Sequence, residues 1–172
     1  MSHPTRVLQL TEEKHSVETL FNTYKQDVFK YVMSMLQDYH AAEDVTQEVF
    51  LSVFRYIYQY RGETSIRTWI FAIAKNAVAH YKKENHKEPY PYIVEQPPEP
   101  SLRIERDIEF YAMVAMLEQT SRDVVVMRLI GQLRYKEIAA ILQQSEAAVK
   151  KRYSRAIKWL REHMKGDEPN AE

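Results

Sequence analysis

A chain of 172 residues, 45% hydrophobic and 28% charged, has room for one medium domain or two small ones. Its formal net charge of zero argues against a simple nucleic-acid coat protein, where positive charge dominates, but leaves local DNA-binding patches open. The absence of cysteine excludes disulfides and cysteine-ligated zinc, and only three glycines suit helices joined by short turns better than a hairpin-rich sheet.

The N-terminal segment, residues 1–16, lacks the apolar core of a secretory signal. A first module spans 17–85. In Val17 to Leu36 the apolar positions Leu20, Tyr24, Val28, Tyr31 and Met35 recur every three to four residues, which predicts one buried helix stripe. A second helix follows from about His40. Val45, Val49, Val53 and Ile57 share one face, widened by Phe50 and Phe54; Asp44, Gln47, Glu48, Leu51 and Arg55 share the other. Arg61-Gly62-Glu63-Thr64-Ser65 reads as a turn with Gly62 as the helix stop. A third helix begins near Ile66, carries Trp69, Ile70, Ile73, Ala74, Ala77 and Tyr81, and ends in Lys82-Lys83-Glu84-Asn85. Trp69 sits in an apolar run, so core packing is the better reading than a stacking wedge. That run, Trp69 to Ala74, is far too short to span a bilayer, and a cytoplasmic protein is expected.

Five of the seven prolines (Pro89, Pro91, Pro97, Pro98 and Pro100) fall between His86 and Pro100. Proline removes a backbone donor and restricts the residue before it, so 86–104 reads as an extended linker. The second module spans 105–165. It is expected to hold a helix from about Arg103 to Gln119, one from Arg122 to Ile130 capped by Ser121, a short one from Tyr135 to Leu142, and a long one through Met164 capped by Ser145. A short helix, the turn Gln143-Gln144-Ser145 and a long basic helix form a helix-turn-helix pattern. Val149, Tyr153, Ala156 and Leu160 should face that module's core, leaving Lys150, Lys151, Ser154 and Arg155 outward; Arg152 and Lys158 would steer DNA or touch its backbone. Residues 166–172 are an acidic tail. The expected fold is all-α: two small helical domains on a Pro-rich linker. Two such modules leave apolar surface exposed, so some packing of one on the other is expected.

Charge is unevenly placed. Between Gln37 and Phe50 the charged residues are Asp38, Glu43, Asp44 and Glu48, with no Lys or Arg. Between Glu146 and Lys165 seven bases face two acids. An acidic patch and a basic helix on one chain suggest two kinds of partner, although two solvated helix faces would look the same.

At this point three segments resemble a known family. Ala42-Glu43-Asp44-Val45-Thr46-Gln47-Glu48-Val49-Phe50 resembles the core-binding segment of extracytoplasmic-function (ECF) sigma factors. Thr68-Trp69-Ile70-Phe71-Ala72-Ile73-Ala74-Lys75-Asn76 resembles their promoter-melting helix. Lys136-Glu137-Ile138-Ala139-Ala140-Ile141-Leu142, followed by Val149-Lys150 and Arg155-Ala156, is similar to their C-terminal helix-turn-helix. The order and the linker match as well. The chain departs at Gln143-Gln144, where the family usually has glycine, at Ala147-Ala148, where it often has Gly-Thr, and at Ala77 to His80, where it often has an acid.

The resemblance implies a sigma region 2-like domain and a region 4-like domain. It implies that Asp44, Gln47, Glu48 and Leu51 dock on the clamp of core RNA polymerase, with acids pairing to bases, Gln47 hydrogen-bonding and Leu51 as an apolar contact. The turn Arg61, Gly62, Glu63, Thr64 and Ser65 would receive a flipped base of the promoter minus-ten element. Lys75 and Asn76 would read the base edge and phosphate, and Lys82 and Lys83 would extend the basic track. Lys150, Lys151, Ser154 and Arg155 would contact the minus-thirty-five element while the second module touches the polymerase flap. The linker, acidic at Glu88, Glu95 and Glu99, would thread through polymerase. An anti-sigma factor, often membrane-anchored in this family, is an expected partner; a stable homo-oligomer is not expected.

No catalytic or metal-binding constellation emerges, and no cofactor is expected. The six histidines lack ligand spacing, and there is no phosphate loop or nucleophile elbow. Two other functions fit parts of the pattern: a free-standing helix-turn-helix regulator, and a helical adaptor or anti-sigma-like protein. The clustered bases on the last helix speak against the adaptor.

Overall fold

The computed structural model describes residues 16–85 and 102–164. Among them are seven α-helices and one 3-10 turn, with no strand. The helices are α1 (Val17–Leu36), α2 (Tyr39–Tyr56), α3 (Ile66–Asn85), α4 (Leu102–Ala115), α5 (Gln119–Leu129), α6 (Tyr135–Leu142) and α7 (Glu146–Met164); the 3-10 turn is Ile57–Gln59. Most of the Pro-rich linker, the N-terminal segment before Ser16 and the acidic tail lie outside the described residues. Leu102 to Ile104, read with the linker, are the first residues of α4.

Local chemistry sets the helix ends. The Ser16 hydroxyl accepts from the Thr19 amide at the start of α1, and the Asp38 carboxylate accepts from Ala41 at the start of α2. Ser65 caps α3 through the Thr68 amide. Ser145 caps α7 through the Ala148 amide. Gln37 and Gln143 close α1 and α6 in the left-handed conformation, at φ 56° and 54°, where glycine is the usual choice. The Gln143 position shows why the helix-turn-helix survives without glycine. Its amide still caps the carbonyls of Ala139 and Ala140, at a cost on the order of 1 kcal/mol for the Cβ.

Three expectations change at this level. The helix expected from Arg103 to Gln119 stops at Ala115, and α5 begins at Gln119 rather than Arg122. Glu118, not Ser121, is the cap of α5: its carboxylate accepts from the amides of Thr120 and Ser121 and from the Ser121 hydroxyl. A charged acceptor offers two oxygens to the free amides of the first turn and favours the positive helix end, which a serine hydroxyl does less well. Gly62 does take positive φ (74°), but in the loop after the 3-10 turn rather than at a helix end.

Helices α1, α2 and α3 pack into one module, and α4 to α7 into the other. The two share a single core. In α1 the run Tyr31, Val32, Met33, Ser34, Met35 is buried without a break, and in α5 so is Asp123, Val124, Val125, Val126, Met127. A helix buried on every side must have neighbours on every side. Helix α1 has α2 and α3 on one flank and α4 and α5 on the other. Burying side chains the size of Phe71 and Met127 contributes about 1.5–3 kcal/mol each.

Polar contacts pin this seam. The Tyr31 hydroxyl donates to Asp123 Oδ1 at 2.7 Å in the buried interior. Arg67 Nη1 donates to Asp27 Oδ2 at 2.8 Å and to the Gly131 carbonyl at 3.1 Å, with its guanidinium over the Tyr24 ring. Lys30 reaches Asp107 at 3.2 Å, and Gln37 Nε2 reaches the Tyr111 carbonyl. Gly131 has a packing reason to be glycine: a Cβ there would lie 2.6 Å from the Met127 carbonyl oxygen and 3.0 Å from the Phe71 ring.

Candidate functional site

Three surfaces collect the residues singled out by sequence. The first is the outer face of α2. Val45, Val49 and Val53 are buried against α1 and α3, so the helix turns Asp44, Gln47, Glu48, Leu51 and Arg55 to solvent. Phe54 joins this face rather than the core stripe: it and Leu51 are each 63% exposed. Phe50 is 6% exposed and meets Phe21 edge-on, while the outward angle of Phe54 leaves it unpacked. Two large exposed apolar side chains thus lie on the same helix face as Asp44, Gln47 and Glu48, which precede them along α2.

The second surface is the loop before α3 and α3 itself. Arg61, Gly62, Glu63, Thr64 and Ser65 are all exposed. The loop is shaped from within, since the Tyr60 hydroxyl donates to the Thr64 carbonyl and the Tyr60 ring leans on Trp69 at 5.5 Å. Trp69 is half-buried and packs on the core. On α3, Asn76 and Lys83 are exposed, whereas Lys75 and Lys82 are half-buried. Lys75, Val78 and Ala79 line a cavity of about 200 Å³ whose other wall is Tyr31, Gln119, Thr120, Asp123, Leu142 and Gln144. Burial lowers the Lys82 ammonium from its usual range, helped by Arg122 and opposed by Asp123. Burial raises the Asp123 carboxyl; the Tyr31 hydrogen bond and the charges of Lys75, Lys82 and Arg122 oppose the rise.

The third surface is α7. Val149, Ala156 and Leu160 are buried, Tyr153 is half-buried and meets Tyr135 edge-on, and Lys150, Lys151, Ser154 and Arg155 are exposed in a row. Arg152 does not lie in that row. It crosses to Glu118 at 2.7 Å and so ties α7 to the cap of α5. Lys158 is exposed, 3.9 Å from Glu162.

Sequence reasoning did not find Asp123, Arg67 or Glu118. Asp123 had one indirect signal: a tyrosine in an apolar stripe needs a partner for its hydroxyl. Among the described residues no group of His, Asp or Glu could hold a metal ion, and no helix is long and apolar enough to cross a membrane.

Two family models match the chain, sigma-70 region 2 over residues 20–88 and sigma-70 region 4 over residues 107–160. The chain is 27% identical over 164 residues to the ECF RNA polymerase sigma factor SigX of Bacillus subtilis, covering 88% of this chain and 84% of that protein. It is 26% identical over 156 residues to SigM of the same organism, covering 85% and 93%. Among solved structures it is similar to CnrH in complex with the cytosolic domain of CnrY, with TM-score 0.70 and 20% identity over 94% of this chain and 96% of that one. It is also similar to RpoE in complex with the anti-sigma factor NepR from Bartonella quintana, with TM-score 0.68 and 19% identity over 88% and 98%. At these identities the structural likeness shows the fold. The two family models together cover well over half of the sequence, in the same order as the two modules of the structure, and the chain belongs to the ECF sigma factors of the sigma-70 family.

Proposed function

We propose that this chain is a dissociable, non-enzymatic specificity subunit acting in the cytoplasm, which docks on core RNA polymerase through α2 and reads promoter DNA through two further surfaces. Leu51 and Phe54, 63% exposed each, beside Asp44, Gln47 and Glu48, carry this reading. A surface with that much uncovered apolar area beside two acids is suited to a basic protein partner. The loop from Arg61 to Ser65 would receive an unstacked base of the minus-ten element. Lys75, Asn76, Lys82 and Lys83 on α3 would hold the single strand. Lys150, Lys151, Ser154 and Arg155 would enter the major groove at the minus-thirty-five element, with Val149, Ala156 and Leu160 anchoring α7 to its module. CnrH and RpoE were each solved with a protein partner, an anti-sigma factor in the RpoE case, which supports an anti-sigma partner here.

The test is the affinity of the full chain for core RNA polymerase without DNA. The native chain should bind, and Glu48→Lys should weaken binding tenfold or more, about 1.4 kcal/mol. Absent binding to core, with steeply salt-dependent binding to duplex DNA, would instead identify a free-standing helix-turn-helix regulator.

A further inference from the structure

Along the outward side of α7 the charges fall into two rows. Lys151, Arg155 and Lys158 follow one another at helical spacing, all basic and all exposed. Glu146, Lys150 and Ser154 form the row beside it, exposed as well, and that row carries no net charge. Glu146 Oε1 lies 2.9 Å from Lys150 Nζ. The cap of α7 does not need Glu146, because the Ser145 hydroxyl already accepts from the Ala148 amide. Its carboxylate runs along the helix to Lys150 instead. The ammonium has a second contact, 5.9 Å from the centre of the Tyr135 ring. That ring is itself fixed: Tyr153 meets it edge-on at 5.6 Å, and Arg128, bonded to the Leu133 carbonyl, lies 4.9 Å from its centre. Among the described residues Lys151 and Arg155 make no ion pair.

A carboxylate on a helix side that faces DNA is repelled by phosphate, so it needs a donor there. In the major groove only cytosine N4 and adenine N6 donate. Each stands beside the carbonyl oxygen of its pairing base, guanine O6 or thymine O4, at roughly the 2.9 Å of a hydrogen bond. An acid and an amine at hydrogen-bond distance therefore match the edge of one base pair, the acid over the amino group and the amine over the oxygen. The two kinds of pair differ at the amine. Beside O6 guanine offers a second acceptor, N7, whereas beside O4 thymine carries a methyl group. A strongly hydrated ammonium favours the two acceptors. Ala147 and Ala148, both exposed, put no long side chain between this turn and the groove.

We propose that Glu146 and Lys150 work as one neutral reader of a G·C pair in the minus-thirty-five duplex, with Glu146 accepting from cytosine N4 and Lys150 donating to guanine O6 and N7, while Lys151 and Arg155 hold phosphate. The inference rests on the reading of α7 as the major-groove helix. It separates selectivity from affinity along a single helix. The pair adds base preference with little salt dependence, and the basic row adds salt-dependent binding without preference.

The test uses the complex of the full chain with core RNA polymerase. A pool of randomised duplexes is selected on that complex, and the enriched sequence serves as the probe. Affinity is then measured with each base pair replaced in turn, and over a range of salt. The native protein should lose roughly tenfold at one G·C pair of the upstream element. Glu146→Ala keeps a good helix former at the position. It should bring the loss at that pair below about threefold and, by freeing Lys150 for phosphate, steepen the slope of log affinity against log salt by about 0.9. Lys151→Ala should do the opposite: weaker binding to every sequence alike, and a slope shallower by about 0.9. Base preferences that survive Glu146→Ala, or an unchanged salt slope in that variant, would reduce Glu146 to a helix-stabilising partner of Lys150 and overturn the reader. A preference lost at an A·T pair would overturn the assignment to guanine and cytosine. No enriched upstream sequence at all would sink the reading of α7 as a recognition helix, a result distinct from an enriched element indifferent to Glu146.

Discussion

Helices α2 and α7 are amphipathic along their length, whereas the last turns of α1 and the centre of α5 are not. On α2, buried Val45, Val49 and Val53 alternate with exposed Asp44, Glu48 and Leu51; on α7, buried Val149, Ala156 and Leu160 alternate with exposed Lys150, Lys151 and Arg155. The C-terminal turns of α1 and the central part of α5 are buried all round. One pair of helices keeps a solvent-facing side, and the other pair joins the modules. A stripe therefore marks a helix with a free face, and an unbroken apolar run marks a helix with two covers.

The contrast can be broken by mutation, and the largest effect should come at the seam. Tyr31→Ala removes a ring that packs edge-on against Phe71 and leaves Asp123 buried without its donor. It should lower stability by about 3–5 kcal/mol in urea unfolding, whereas Leu51→Ala on the outer face of α2 should change it by less than about 0.5 kcal/mol. Comparable small losses for both would mean that the second cover of α1 adds nothing.

A smaller but more selective effect is expected on α7. The pair Lys150→Glu and Lys151→Glu should cut binding of the polymerase complex to promoter DNA by roughly 1–3 kcal/mol and flatten its salt dependence. Binding of the chain to core polymerase without DNA should stay unchanged. Loss of core binding in this variant would place polymerase contacts on the wrong helix face.

The smallest effect concerns a helix cap. Glu118→Ala removes the acceptor for Thr120 and Ser121 and the partner of Arg152, and should cost about 1 kcal/mol at neutral pH. Burial pushes the Glu118 carboxyl up, but the hydrogen bonds from Ser121 and Thr120 and the charge of Arg152 outweigh it and hold the group below its ordinary value. A carboxylate with a lowered folded value stabilises above its unfolded value and loses that contribution as pH falls through the folded one. The difference between native chain and variant should accordingly vanish on acidification below the usual glutamate range. A pH-independent difference would mean that Glu118 acts by packing alone.

Much of the fold was legible because it is local. The span of α1, the start of α3, the bounds of α6 and the Ser145 cap all follow from periodicity and from hydroxyls placed before apolar runs. The outward rows on α2 and α7 follow from the same spacing. Phe54 was misread because a widened stripe and an exposed patch differ only in where the next helix lies. Glu118 was missed because serine is the commoner cap, and the chain carries both within three residues. Asp123 and Arg67 were missed for a plainer reason: the partners that cross the seam lie 92 and 64 residues away, so nothing in their own segments announces them. Even so, Val124-Val125-Val126-Met127 is apolar on every side, as is Tyr31-Val32-Met33. Two helix segments without a polar face in one small chain imply that they cover each other.

Helix α1 is a wall common to both modules, and this matters during synthesis. The last residue of α1 leaves the ribosome more than eighty residues before the first residue of α5. At ordinary elongation rates that interval is on the order of 5–15 s, far longer than a three-helix module needs to form. Throughout it, the first module can fold, but the flank of α1 reserved for α5 stays wet. The nascent chain thus carries an uncovered apolar flank around Tyr31 that chaperones can hold and that other nascent chains can stick to, until the second half of the protein arrives to dry it.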